Sequence, residues 1–167
     1  AATLSTAAVS LDSNGGNIAL TSLAGGSQDL TIAAGTAAGT TTVTGNVSAL
    51  GDGTGAALTV DNAATGLVDF QGTFGANSGL TAGAGTSLKF GQNVTLADGD
   101  TVTNLAGNVT LDGLDWSSFD GITFGAATLS TAAVSLDSNG GNIALTSLAG
   151  GSQDLTIAAG TAAGTTT

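Results

Sequence analysis

Apolar side chains recur along this chain in short alternating runs. Triplets of the form apolar–x–apolar appear as Val9-Ser10-Leu11, Ile18-Ala19-Leu20, Leu30-Thr31-Ile32, Leu58-Thr59-Val60 and Val68-Asp69-Phe70. Further along come Leu88-Lys89-Phe90, Val94-Thr95-Leu96, Val109-Thr110-Leu111 and Ile122-Thr123-Phe124. Alternation with period two predicts strands with one face buried and one face solvated. The middle residue is often Thr, which suits an outward strand position. No run sustains the i, i+3, i+4 spacing of a helix. Between triplets lie turn-forming clusters: Asn14-Gly15-Gly16, Gly25-Gly26-Ser27, Gly51-Asp52-Gly53, Asp98-Gly99-Asp100 and Asp112-Gly113. Glycine supplies positive φ there, and Asn or Asp can bond its own backbone.

The second regularity is longer. Residues 1–42 recur unchanged as 126–167, an offset of 125 residues. The chain is therefore expected to hold one full tandem unit, 1–125, and the start of the next, 126–167, as part of a longer array. With strands every nine or ten positions, two all-β architectures compete. One is a β-solenoid with coils of about 20–25 residues, each pairing in parallel with the coils above and below. A unit would then hold five or six coils. The alternative is a tandem array of β-sandwich domains, one per unit. Short strands, few aromatics and an Ala/Val/Leu/Ile interior favour the solenoid. The step Gly-Asn-apolar recurs as Gly16-Asn17-Ile18, Gly45-Asn46-Val47 and Gly107-Asn108-Val109, so stacked coils could align these Asn residues in a ladder.

Composition narrows the function classes. The 12 acidic residues are all Asp, Lys89 is the sole basic residue, and the net charge is −11. One unit alone, without the duplicated Asp137 and Asp154, carries ten Asp and one Lys. Such a surface repels nucleic acid and anionic membranes. No apolar run approaches the ~20 residues of a membrane-spanning helix. His, Cys, Met, Tyr, Pro and Arg are absent, which removes imidazole and thiol chemistry. Proline would in any case interrupt a paired sheet. The chain is expected not to be an enzyme, with no catalytic, cofactor or metal residue assigned.

Some residues still invite a test. Asp98 with Asp100, and Asp112 with Asp115, are candidate paired carboxylates for glycoside hydrolysis, but both pairs sit in Gly-containing turn contexts, and ordinary turn chemistry is the favoured reading. Gly51-Asp52-Gly53-Thr54-Gly55 resembles a single degenerate calcium-binding repeat, and calcium is the one cofactor the sequence leaves open. Lys89 reads as a solvent-facing strand residue. Trp116, Phe119 and Phe124 form an aromatic cluster in sequence, expected to pack a wider coil or cap, or else to offer a glycan-stacking or lateral-contact patch.

The runs Gly107-Asn108-Val109-Thr110-Leu111-Asp112-Gly113, Gly121-Ile122-Thr123-Phe124-Gly125 and Ser13-Asn14-Gly15-Gly16-Asn17-Ile18-Ala19-Leu20 resemble repeats of large secreted bacterial adhesins, of the filamentous-haemagglutinin-like and autotransporter type. The resemblance implies a right-handed parallel β-helix, export to the bacterial cell surface, and a structural role in a giant fibre or stalk. It carries no catalytic residue. The perfect 125-residue period departs from the more divergent coils of those families, and surface-layer or sheath proteins share the composition. Expected partners are neighbouring repeats of the same chain, a laterally associated copy, or a cell-surface glycan, with no nucleic acid and no membrane insertion.

Overall fold

A computed structural model describes residues 1–33, 39–61, 66–97, 99–159 and 164–167. The described residues form strands and turns, with no helix. The first strands are β1 (Ala2–Thr3), β2 (Val9–Asp12), β3 (Ile18–Leu20), β4 (Leu23–Ala24), β5 (Leu30–Ala33) and β6 (Thr41–Val43). Next come β7 (Val47–Leu50), β8 (Leu58–Val60), β9 (Leu67–Phe70), β10 (Phe74–Ala76), β11 (Leu80–Ala82), β12 (Ser87–Phe90) and β13 (Val94–Leu96). The chain continues through β14 (Thr103–Leu111), β15 (Asp115–Ser117), β16 (Ile122–Leu129), β17 (Val134–Asp137), β18 (Ile143–Ala149) and β19 (Leu155–Ala158).

Every named strand pairing is parallel, and each strand pairs with strands one coil away rather than with its sequence neighbours. The first face stacks β1, β4, β7, β10, β13, β15, β17 and β19. The second stacks β2, β5, β8 and β11, and continues through the N-terminal parts of β14, β16 and β18. The third stacks β3, β6, β9 and β12, and continues through the C-terminal parts of the same three strands. The chain is thus a three-faced β-solenoid of about seven turns with about 21 residues per coil. This is the expected solenoid and excludes the sandwich alternative.

All nine apolar triplets lie in strands. Their outer residues point inward: Leu58, Val60, Val68, Phe70, Leu88, Phe90, Val94 and Leu96 are buried, while Thr95 and Thr123 are exposed. Several strands lacked that signature. In β6 the inward residue Thr41 is polar, in β10 the centre is Gly75, and β15 carries a single apolar residue, Trp116. Their inward positions are set by the coils on either side, through the continuous ladder, rather than by local alternation.

The core is one column running the length of the rod. Its centre is a chain of rings. Phe70 meets Phe74 at 4.9 Å and Phe90 at 5.3 Å, Phe90 meets Trp116 at 5.0 Å, and Trp116 meets Phe124 at 5.1 Å between centroids. The aromatic cluster read from sequence is therefore divided. Trp116 and Phe124 join rings from other coils inside the rod, whereas Phe119 stands outside, half exposed. Axial stacking, not sequence proximity, decides which rings meet.

Corners are held by side chains as well as backbone. Asn17 Oδ1 accepts the Thr40 N–H (2.9 Å), Asn46 Oδ1 that of Thr73 (3.2 Å), Asn93 Oδ1 that of Asp115 (3.0 Å) and Asn142 Oδ1 that of Thr165 (3.0 Å). Each bond reaches one coil onward. Asn108, by contrast, sits on the outward side of β14, where its Nδ2 donates to Ser87 Oγ at 3.5 Å. Asn17 and Asn108 precede the same rung position of the third face but four coils apart, and Asn46 precedes the first face, so the three Gly-Asn steps form no direct Asn-on-Asn stack; Asn17 and Asn46 instead tie a corner to the backbone above.

The two copies of the 42-residue segment fold alike internally. Ala2 pairs with Leu23 as Ala127 pairs with Leu148, and Val9 with Leu30 as Val134 with Leu155. Their turns also match: Asp12 Oδ1 accepts the Asn14 N–H as Asp137 Oδ1 accepts that of Asn139, and all four Asn and Gly residues of Asn14-Gly15 and Asn139-Gly140 have positive φ. Burial differs because one copy is covered on the side where the other is open. Leu23 is 1% exposed and Leu148 is 45% exposed. Ile143 is fully buried and its counterpart Ile18 only partly so. Leu23→Ala is expected to destabilise by about 2 kcal/mol or slightly more, and Leu148→Ala by less than half of that. Urea denaturation of the two variants checks this; equal losses would contradict the described stacking.

Candidate functional site

The outward polar side chains concentrate at two places. The first surrounds Asp112, which directly follows the third-face part of β14. Lys89 Nζ lies 3.0 Å from Asp112 Oδ2. Ser130 Oγ donates to Asp112 Oδ1 at 3.2 Å, and Thr131 Oγ1 donates to the same oxygen. Strand alternation places Lys89 outward, beside Asp69 of the coil below and Thr110 of the coil above. This agrees with the reading of Lys89 as a solvent-facing strand residue. The Thr131 hydroxyl and then Lys89 hold the Asp112 carboxyl below its usual range, while Asp112 raises the Lys89 ammonium.

The second place joins Asp29 to the turn Gly51-Asp52-Gly53-Thr54-Gly55. Gly51, Gly53 and Gly55 all have positive φ. Asp52 Oδ1 accepts the Thr54 N–H at 2.7 Å, and Gly51 O accepts from Asn77 Nδ2 at 2.6 Å. Desolvation, and then the charge of Asp52, push the Asp29 carboxyl up. Asp29 Oδ1 is buried without a hydrogen-bond partner. Two carboxylates thus meet at the turn that resembles a calcium repeat, while Ca²⁺ takes six to eight oxygens. Among the described residues no three His, Cys, Asp or Glu side chains group as a metal site.

The two shifts have opposite signs for stability. Asp112 has a lowered folded pKa, so its contribution is present above the unfolded carboxylate range and is lost as pH falls through the folded value. Asp29 has a raised folded pKa, so it favours folding at low pH and disfavours it once ionised. Asp112→Asn is therefore expected to lower stability at pH 7 by under ~1 kcal/mol and to match the parent near pH 2. Asp29→Asn is expected to raise the pH 7 midpoint and leave the pH 2 midpoint unchanged. Urea midpoints at both pH values measure both effects, and a reversal of either direction at pH 7 would contradict the assignment.

The other sequence candidates separate. Asp98 lies outside the described residues, and the Asp100 N–H donates to Gly53 O at 3.1 Å. Asp112 and Asp115 fall on different faces, Asp112 after β14 and Asp115 at the start of β15, with Asp115 exposed. Phe119 and Val102 line an open cleft of about 670 Å³ at the corner between the first and second faces, with Asp120, Thr123 and Asn139. Its exposed ring, 50% accessible, was visible in the sequence only as one member of a cluster it does not join. No protein-family model, curated protein or solved structure matches the chain.

Proposed function

We propose that this chain is a rod-forming segment of a long extracellular fibre or adhesin stalk, whose work is reach, stiffness and surface presentation rather than catalysis. The observation that carries this reading is a ladder longer than the repeat. The first face pairs without a break from β1 at Ala2 to β19 at Ala158, while the sequence period is 125 residues. Wherever a unit is taken to begin, its boundary falls inside this ladder, a geometry incompatible with one independent bead per unit. It favours a ladder that runs through every junction, with each coil stabilised by its neighbours. The strongly acidic surface supports the reading, since like charges keep long assemblies dispersed.

Electron microscopy of purified arrays of two, four and six units tests the proposal. Each added unit is expected to lengthen an unbroken rod by roughly 27 Å, at ~4.8 Å per coil. A string of separated globules, one per unit, would overturn it. Antibody raised to the rod should label intact producing cells; signal only after lysis would remove the surface role.

A further inference from the structure

The two identical segments do not occupy the same faces. Ala2 lies on the first face and its copy Ala127 on the third. Val9–Asp12 lies on the second face and Val134–Asp137 on the first. Ile18 lies on the third and Ile143 on the second, Leu23 on the first and Leu148 on the third, Leu30 on the second and Leu155 on the first. Thr41 of the third face corresponds to Thr166, which bridges Ile143 on the second. Every matched position is moved back by one face, while the pairing inside the segment is preserved.

The ladder gives the amount of the shift. Starting at Val9 on the second face, the rungs Leu30, Leu58, Leu80, Thr103 and Ile122 complete five coils. Two further faces, the C-terminal part of β16 and then β17, bring the chain to Val134, the copy of Val9. One 125-residue unit therefore spans five and two-thirds coils. This is neither of the whole numbers a sequence period alone suggests.

We infer that an array of this unit is a three-unit screw: each successive unit presents the same side chains one face further round, and the original face returns only after three units, or 17 complete coils. The inference rests on the array proposed above but goes beyond it. Features that occur once per unit, such as the Lys89–Asp112 pair and the Phe119 cleft, then appear on all three sides of the rod in rotation. Contacts made through them, with a second rod or any other flat partner, are available from three directions and recur on any one side only every ~82 Å, at ~4.8 Å per coil. An in-phase unit of five or six whole coils would instead line such features along one side every ~24 or ~29 Å.

The chain has no cysteine, so introduced thiols report register directly. In the 167-residue protein, the pairs Asn104→Cys with Thr123→Cys, Thr123→Cys with Ala144→Cys, and Asp115→Cys with Ser135→Cys should each close on oxidation, since parallel neighbours lie within disulfide reach. Together they place residues 104, 123 and 144 on successive rungs of one face and residue 135 on another. Failure of Asn104→Cys with Thr123→Cys, with closure of the Asp115 and Ser135 pair, would overturn the count. In a six-unit array carrying Thr95→Cys labelled with a heavy-atom cluster, successive labels should differ in azimuth by about a third of a turn, beyond the solenoid's own twist. Labels aligned along one side of an intact rod would overturn the screw and leave the array standing. A beaded image would remove the array itself, while the thiol pairs would still report the phase within this chain.

Discussion

Trp116→Ala is expected to cost about 3–5 kcal/mol, the range for removing a large buried aromatic. Trp116 is 1% exposed and bridges Phe90 and Phe124 in the ring column. Its loss opens a cavity between two coils of a narrow core, with few side chains free to fill it. Trp116 Nε1 is buried without a hydrogen-bond partner, so the residue acts through packing rather than polarity. Trp116→Phe keeps a ring and removes the unsatisfied N–H, whose desolvation costs about 1–3 kcal/mol, and should recover most of the stability. Urea denaturation followed by circular dichroism distinguishes the two roles. If Trp116→Phe were as damaging as Trp116→Ala, the packing account would fail.

Gly125→Ala is expected to be comparably severe, about 3 kcal/mol or more. A Cβ at this position would stand 2.2 Å from Ala106 O and 2.6 Å from Gly107 O. Both are backbone atoms, so no side-chain rotation relieves the overlap. Gly125 is where β16 runs from the second face to the third, opposite the register shift between Leu105 and Asn108. An added methyl there pushes two coils apart. Gly150 provides the contrast, because its nearest outside atom, Gln153 O, is 3.7 Å away from such a Cβ. Gly150→Ala should change the melting midpoint little, and equal effects at the two sites would refute the steric explanation.

The sequence made the strands legible wherever both inward residues are large and apolar, because alternation is then a local property. Strands such as β6 and β10 escaped because one inward residue of each, Thr41 or Ala76, is not large and apolar; their placement comes from the ladder above and below. The fold class followed from short strands separated by Gly/Asn/Asp turns, a pattern that needs stacking to bury anything. The aromatic column and the Asn clamps were hidden for a different reason. Their partners are one coil apart, and the coil length varies: Val109 and Ala127 are register partners, and so are Leu30 and Leu58. Turns of unequal length also concealed the phase of the unit, since 125 residues admits five or six coils on average length alone.

For the polar sites, the sequence showed which carboxylates exist but not which meet. Asp112 and Asp115 are close in the chain and separate in space, because the corner after β14 turns them onto different faces. Asp29 and Asp52 are a coil apart in sequence and adjacent in the fold. Lys89 and Asp112 are brought together in the same way, by the parallel register of β12 and β14.

The stacking of every strand on the coil below has a mechanical corollary. A pull applied to one end of the chain does not shear a whole sheet. It opens the rungs of the outermost coil in turn, while deeper coils remain paired. Each coil of about 21 residues adds only ~4.8 Å to the rod, yet once peeled it releases roughly 70 Å of extended chain. A tether of this kind yields in many small steps under tension and lengthens more than tenfold before it is exhausted.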